Sequence, residues 1–192
     1  MTDLTSKLFS TLPSRALAVL VLGLSLAACG KDDAAPTAVA KVDACALVDA
    51  AMVAKLAPGL GKGHPSSAPH PAGVSTCVWN DSAHHLPALM LTVAPADPSG
   101  VAKGLKQGLG KMGYRVVSVS GLGDEAATAI QQADPKHGLA AGVATLDVRV
   151  GKRQLGFSPM RLAISGPGTP AFERLKRFAA DAVARLGTGH KG

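Results

Sequence analysis

The chain has 192 residues and 20 Lys+Arg against 13 Asp+Glu, a formal charge of +7, and its length suits one domain of ordinary size. With 17% charged residues, 47% apolar residues and 34 alanines, it is neither a collagen, a coiled coil nor a strongly charged disordered chain. Six aromatic residues are too few for a sugar- or base-stacking platform, and three cysteines is an odd count that calls for an explanation.

Lys7 and Arg15 precede an uncharged apolar run from Ala16 to Ala28. At roughly 13 residues the run is shorter than the ~20 a membrane-spanning helix needs. A basic start, a short apolar run and small residues at its end predict a secretory signal peptide over residues 1–28. Leu26-Ala27-Ala28-Cys29 resembles the lipobox of bacterial lipoproteins. That resemblance implies a diacylglyceryl group on the Cys29 thiol, cleavage before Cys29 and acylation of the new N-terminus, with no other cofactor. The acyl chains would make the membrane the first partner, since each buried CH₂ contributes about 0.8 kcal/mol. Gly30 rather than Asp follows the cysteine, which implies the outer membrane if the host is Gram-negative. An ordinary secreted protein is the alternative.

The mature chain would have 164 residues with 18 bases and 12 acids, a net +6. Residues 29–42 are small, polar and Pro-containing and read as a flexible tether, 43–188 as the folded domain, and 189–192 as a disordered tail.

Within the domain, Asp43 can cap a helix running through Leu56, with Val48, Met52 and Leu56 on one face. Pro58 to Thr76 holds four Pro and four Gly and reads as a loop. Cys77-Val78-Trp79 and Leu86 to Ala94 predict two paired strands. Ser99 to Met112 has helical spacing, weakened by its glycines, and Tyr114 to Ser120 is β-branched and strand-like. Asp124-Glu125 predicts the cap of a short helix from Ala126. Thr145 to Val150 alternates, turns at Gly151-Lys152 and resumes at Leu155 and Phe157, which predicts a hairpin with one buried face. Arg161 to Ser165 offers another strand, and Thr169-Pro170 opens a closing helix that Gly187 stops. The order α-β-β-α-β-β-β-β-α predicts an α+β fold with a mainly antiparallel sheet and helices on one face.

If Cys29 carries lipid, Cys45 and Cys77 remain, an even number in an oxidising compartment, and a disulfide is the simplest reading. A reactive Cys45 thiol in a helix's first turn is the alternative. Catalytic signals are weak. Gly104 to Met112 departs from the phosphate-loop spacing and lacks its hydroxyl residue, and no Gly-x-Ser-x-Gly or HExxH is present. His64 and His70 fall in the loop, and the neighbours His84 and His85 would point to opposite faces of a strand, so no metal site is expected. An envelope enzyme or metal-binding protein using His84 and His85 with Asp124 or Glu125 is the competing reading. The bases are scattered apart from Lys152-Arg153 and the face of Arg174, Arg177 and Arg185, which leaves an envelope protein or an anionic ligand as candidate partner. Nucleic acid is not expected outside the cell membrane, and a monomer is expected.

Four pieces together resemble a family of small actinobacterial lipoproteins of unknown function, similar to the extracellular sensor domain of a mycobacterial serine/threonine kinase. They are the lipobox, Asp43-Ala44-Cys45-Ala46-Leu47-Val48, Cys77-Val78-Trp79 and Ser120-Gly121-Leu122-Gly123-Asp124-Glu125-Ala126. Ala44 stands where family members often have Pro. Over about residues 43–186 the resemblance implies a Cys45–Cys77 pair, helices against an antiparallel sheet, and extracytoplasmic binding or sensing without catalytic residues.

Overall fold

The computed structural model describes residues 41–137 and 140–188. The expected signal peptide, Cys29 with its lipids, most of the tether and the tail at 189–192 lie outside the described residues.

The first predicted helix divides in two because two aspartates compete to cap it. Asp43 accepts the Cys45 N–H at 2.9 Å and starts a 3-10 turn, Ala44–Leu47. Val48 is extended, and Asp49 then accepts the Met52 N–H at 2.9 Å to start α1, Ala50–Leu56. Val48, Met52 and Leu56 are all buried, so the predicted apolar face survives the break.

The Pro- and Gly-rich segment is not wholly a loop. His64–Pro65 forms a two-residue edge strand, β1, paired with β2, Ser75–Asn80. β2 pairs with β3, Pro87–Pro95. The helix predicted from Ser99 is shorter, with α2 at Val101–Gln107 and a 3-10 turn at Leu109–Met112. Strand β4, Arg115–Ser118, follows.

Two further segments depart from the sequence expectation. The segment after Asp124 is a strand, β5 at Glu125–Gln131, and not a short helix. Arg161 to Ser165 joins no named strand; Val143 N–H donates to Ile164 O at 2.7 Å and Arg161 N–H to Ala88 O at 3.2 Å, but no ladder forms. The predicted hairpin is present as β6, Gly142–Val150, and β7, Arg153–Ser158. Gly151 takes φ +57°, which suits the first position of this tight turn. The chain closes with α3, Pro170–Thr188, whose first turn is capped by Thr169 Oγ1 accepting the Phe172 N–H at 3.2 Å.

The result is one antiparallel seven-stranded sheet in the order β1-β2-β3-β7-β6-β5-β4. One face carries Cys77, Trp79, Leu89, Leu91, Val93, Leu146, Val148, Leu155 and Phe157, alternate residues of their strands. The first turn, α1 and α3 cover it, and Phe157 meets Phe178 of α3 edge-to-face with ring centroids 5.9 Å apart. Helices on one face describes the terminal helices. α2 lies against the opposite face, where Val101 and Leu105 pack on Ala127. Alanine at that position lets the helix approach the sheet closely.

The Ser120–Ala126 segment ties the sheet to both layers. Leu122 is buried in the main core. Asp124 Oδ2 accepts the Gly151 N–H at 2.6 Å and holds the β6–β7 turn. Gly123 has φ +58°, and a Cβ there would lie 2.5 Å from the Arg149 carbonyl oxygen. Gly123→Ala is therefore expected to cost roughly 1–3 kcal/mol through strain and overpacking together. Gly151→Ala has positive φ but open space and should cost less. Urea denaturation of the two variants checks this, and equal losses would contradict the steric account.

Candidate functional site

Covalent closure comes first. Cys45 and Cys77 form a disulfide with Cα atoms 5.0 Å apart. The reactive-thiol alternative for Cys45 is set aside by that bond. Beside it, the Ala44 N–H donates to Ser75 Oγ at 3.1 Å, and the Ser75 hydroxyl donates in turn to the Val42 carbonyl. The entering chain is thus fixed to β2 by one covalent and two polar links.

The proposed histidine–carboxylate constellation is not assembled. His84 and His85 sit in the β2–β3 turn, whereas Asp124 and Glu125 sit at the β6–β7 turn end of the sheet. Met90 pairs with Ser158 and Pro95 with Arg153, so these turns lie at opposite ends of β3. Eight residue steps separate the ends of that strand, about 25 Å.

Each member of the set has a local role. His84 Nδ1 lies 2.8 Å from Asp81 Oδ2, and this bond, followed by the Ala83 N–H, holds the Asp81 carboxyl below its usual range. His85 takes φ +56° and donates its N–H to Asp81 O at 2.8 Å, as a turn residue. Glu125 accepts the Ala102 N–H at 3.1 Å and pairs with Arg149 at 3.4 Å. Its pKa is lowered first by the Ala102 amide, then by Val101, with Arg149 adding to it. Glu125 therefore caps α2. His64 and His70 are exposed, and among the described residues no group of three His, Cys, Asp or Glu side chains could hold a metal ion.

The structure adds a buried acid, Asp147, which the sequence pattern placed on the polar side of β6. Thr145 Oγ1 donates to its Oδ1 at 2.5 Å, and Gln154 Nε2 donates to its Oδ2 at 2.8 Å. Gly156 lies opposite it in register, and a Cβ there would sit 3.3 Å from Oδ1, so the glycine makes room for the carboxyl. No cation is paired with Asp147 among the described residues. Burial raises its pKa, and the Thr145 and Gln154 bonds offset this only in part.

Among the described residues, three depressions border the helical layer or the β1–β2 segment. One of about 670 Å³ lies between Lys41, Asp43 and the Pro65–Thr76 segment, with His70 on its wall. A second, of about 660 Å³, runs between α1 and the Gly59–Gly63 strap, with Trp79 and Cys45 on its walls. A Cβ at Gly63 would fall 2.5 Å from Trp79 Nε1, so only glycine lets the strap lie against the indole. The third, of about 440 Å³, opens between α1 and α3.

No family model, curated protein or solved structure matches the chain. Among the described residues no helix is long and apolar enough to cross a membrane.

The buried acid gives a pH prediction. The folded-state pKa of Asp147 lies above the unfolded value, so the native state holds the proton more tightly. Its contribution is complete below about pH 4 and is lost as pH rises through the folded pKa. The carboxylates of exposed Asp49 and half-buried Asp81, Asp97 and Glu125 are shifted down, so theirs is present at neutral pH and fades on acidification. Asp147→Asn should therefore gain stability over the parent as pH rises from 4.5 to 8. Urea midpoints across that range check the trend, and a difference independent of pH would contradict it.

Proposed function

We propose that this chain is a lipid-anchored bacterial cell-envelope protein whose folded domain binds, senses or assembles, without catalysis of its own. The observation that carries the reading is Leu26-Ala27-Ala28-Cys29 at the end of a short apolar run behind basic residues. The Cys45–Cys77 disulfide supports it, because such a bond persists in oxidising compartments. Cys29 carries the diacylglyceryl and N-acyl chains, and Gly30 favours the outer membrane in a Gram-negative host. The likeness to actinobacterial lipoproteins and to a kinase sensor domain belongs to this proposal, with the Trp79 groove and the Pro65–Thr76 depression as places for a ligand.

The non-enzymatic reading is supported by the distance between His84/His85 and Asp124/Glu125 and by the structural work each already does. Binding in a groove needs no convergence of acid, base and nucleophile, only shape and a few polar groups.

Fractionation with the Cys29→Ala variant tests the anchor. The parent should stay with membranes in high salt and alkali and move to the detergent phase. The variant should lose acyl labelling and accumulate unprocessed. Release of the parent by salt alone would overturn the reading.

A further inference from the structure

The third depression differs from the other two in its charge. Its floor is apolar, made by Met52 and Leu56 of α1 and Phe178 of α3. Its rim carries Lys55 from α1 and Arg174 and Arg177 from α3, all exposed. Asp181 is its one carboxylate. None of the three cations is in an ion pair among the described residues, whereas Arg149 is paired with Glu125 and Arg185 with Asp49. Three cations and one carboxylate over an apolar floor leave a net positive rim, and an external anion relieves the repulsion among the cations.

The described chain begins at Lys41, and Val42 packs against the main core that α1 and α3 also cover. In sequence, Cys29 and Lys41 are 12 residue steps apart. Fully extended they reach about 40 Å, enough for a surface of the domain to rest on the bilayer that holds the anchor.

We propose that the α1–α3 groove docks the domain on an anionic phospholipid surface. Phosphate oxygens lie among Lys55, Arg174 and Arg177, and the glycerol region lies against Met52, Leu56 and Phe178. The inference rests on the lipoprotein reading for its geometry. Anchoring by acyl chains fixes the protein to a membrane but not its orientation, and a basic face supplies the second contact. The docked domain holds α3 toward the headgroups and leaves the opposite sheet face, with α2, turned away.

The test uses the full lipidated chain with a fluorophore on Ala180→Cys, an exposed position on the groove wall. Quenching by nitroxide-labelled phospholipid is compared in vesicles of phosphatidylcholine alone and of phosphatidylcholine mixed with phosphatidylglycerol. Quenching should be about threefold or more stronger in the anionic vesicles and should weaken with salt. It should fall to the neutral-vesicle level in the Lys55→Gln/Arg174→Gln/Arg177→Gln variant, whose changes are all at exposed positions and whose unfolding midpoint serves as control. Equal quenching in both lipids, or a triple variant that behaves like the parent, would overturn the proposal. Retention on neutral vesicles reads the anchor separately. A chain without the anchor would stay in the supernatant there, yet would still be quenched on anionic vesicles if the groove docks.

Discussion

The Cys45–Cys77 bond is the constraint on which the helical layer depends. It joins the first 3-10 turn to the strand beside the edge of the sheet, across a sequence separation of 32. The chain-entropy estimate for such a closure is about 3–4 kcal/mol, a large share of the ~5–15 kcal/mol typical of a domain. The need for it follows from composition. Three phenylalanines fill the space between α3 and the sheet, with Phe157, Phe172 and Phe178 all buried. The first turn and α1 bring only Ala44, Leu47, Val48, Met52, Val53 and Leu56 to the same core. A seven-residue helix is too short to be stable by itself, so the N-terminal layer relies on the disulfide and the Ser75 links to stay in register with β2.

The parts of the fold that were legible are those where one face is apolar and the other polar. The β6–β7 hairpin shows strict alternation and a Gly-Lys turn, and α3 shows a clear helical stripe, so both could be read directly. Strand β5 could not. Its sequence, Glu-Ala-Ala-Thr-Ala-Ile-Gln, is alanine-rich and weak in strand propensity, because it is covered on both faces and needs small side chains beneath α2. The acid pair before it is a cap signal, but the helix that Glu125 caps is α2, 23 residues earlier. Local pattern identified the chemistry and missed the partner. Likewise Arg161 to Ser165 has apolar residues at strand spacing, and Ile164 is buried, yet it touches the sheet through isolated bonds rather than a ladder.

The candidate sites divide in the same way. Cys45 and Cys77 were readable by counting. The basic face of α3 was visible as Arg174, Arg177 and Arg185, but sequence alone could not separate Arg185, which pairs with Asp49, from the two that stand without an ion pair. Nor could it bring Lys55 of α1 beside them, since that depends on how α1 crosses α3. Asp147 was hidden for a related reason. Alternation assigns it to the polar face, and only the fold shows that face to be closed over it by Thr145 and Gln154.

An anchored, disulfide-closed lipoprotein is one exported, cleaved, acylated and oxidised polypeptide, and the mass of the intact chain extracted from membranes reads all four properties together. The expected species begins at Cys29 and carries acyl chains. It takes up no alkylating reagent until it is reduced, and then takes up two equivalents at Cys45 and Cys77. A chain that retains residues 1–28 or begins elsewhere, or one alkylated at Cys45 or Cys77 without reduction, would contradict it.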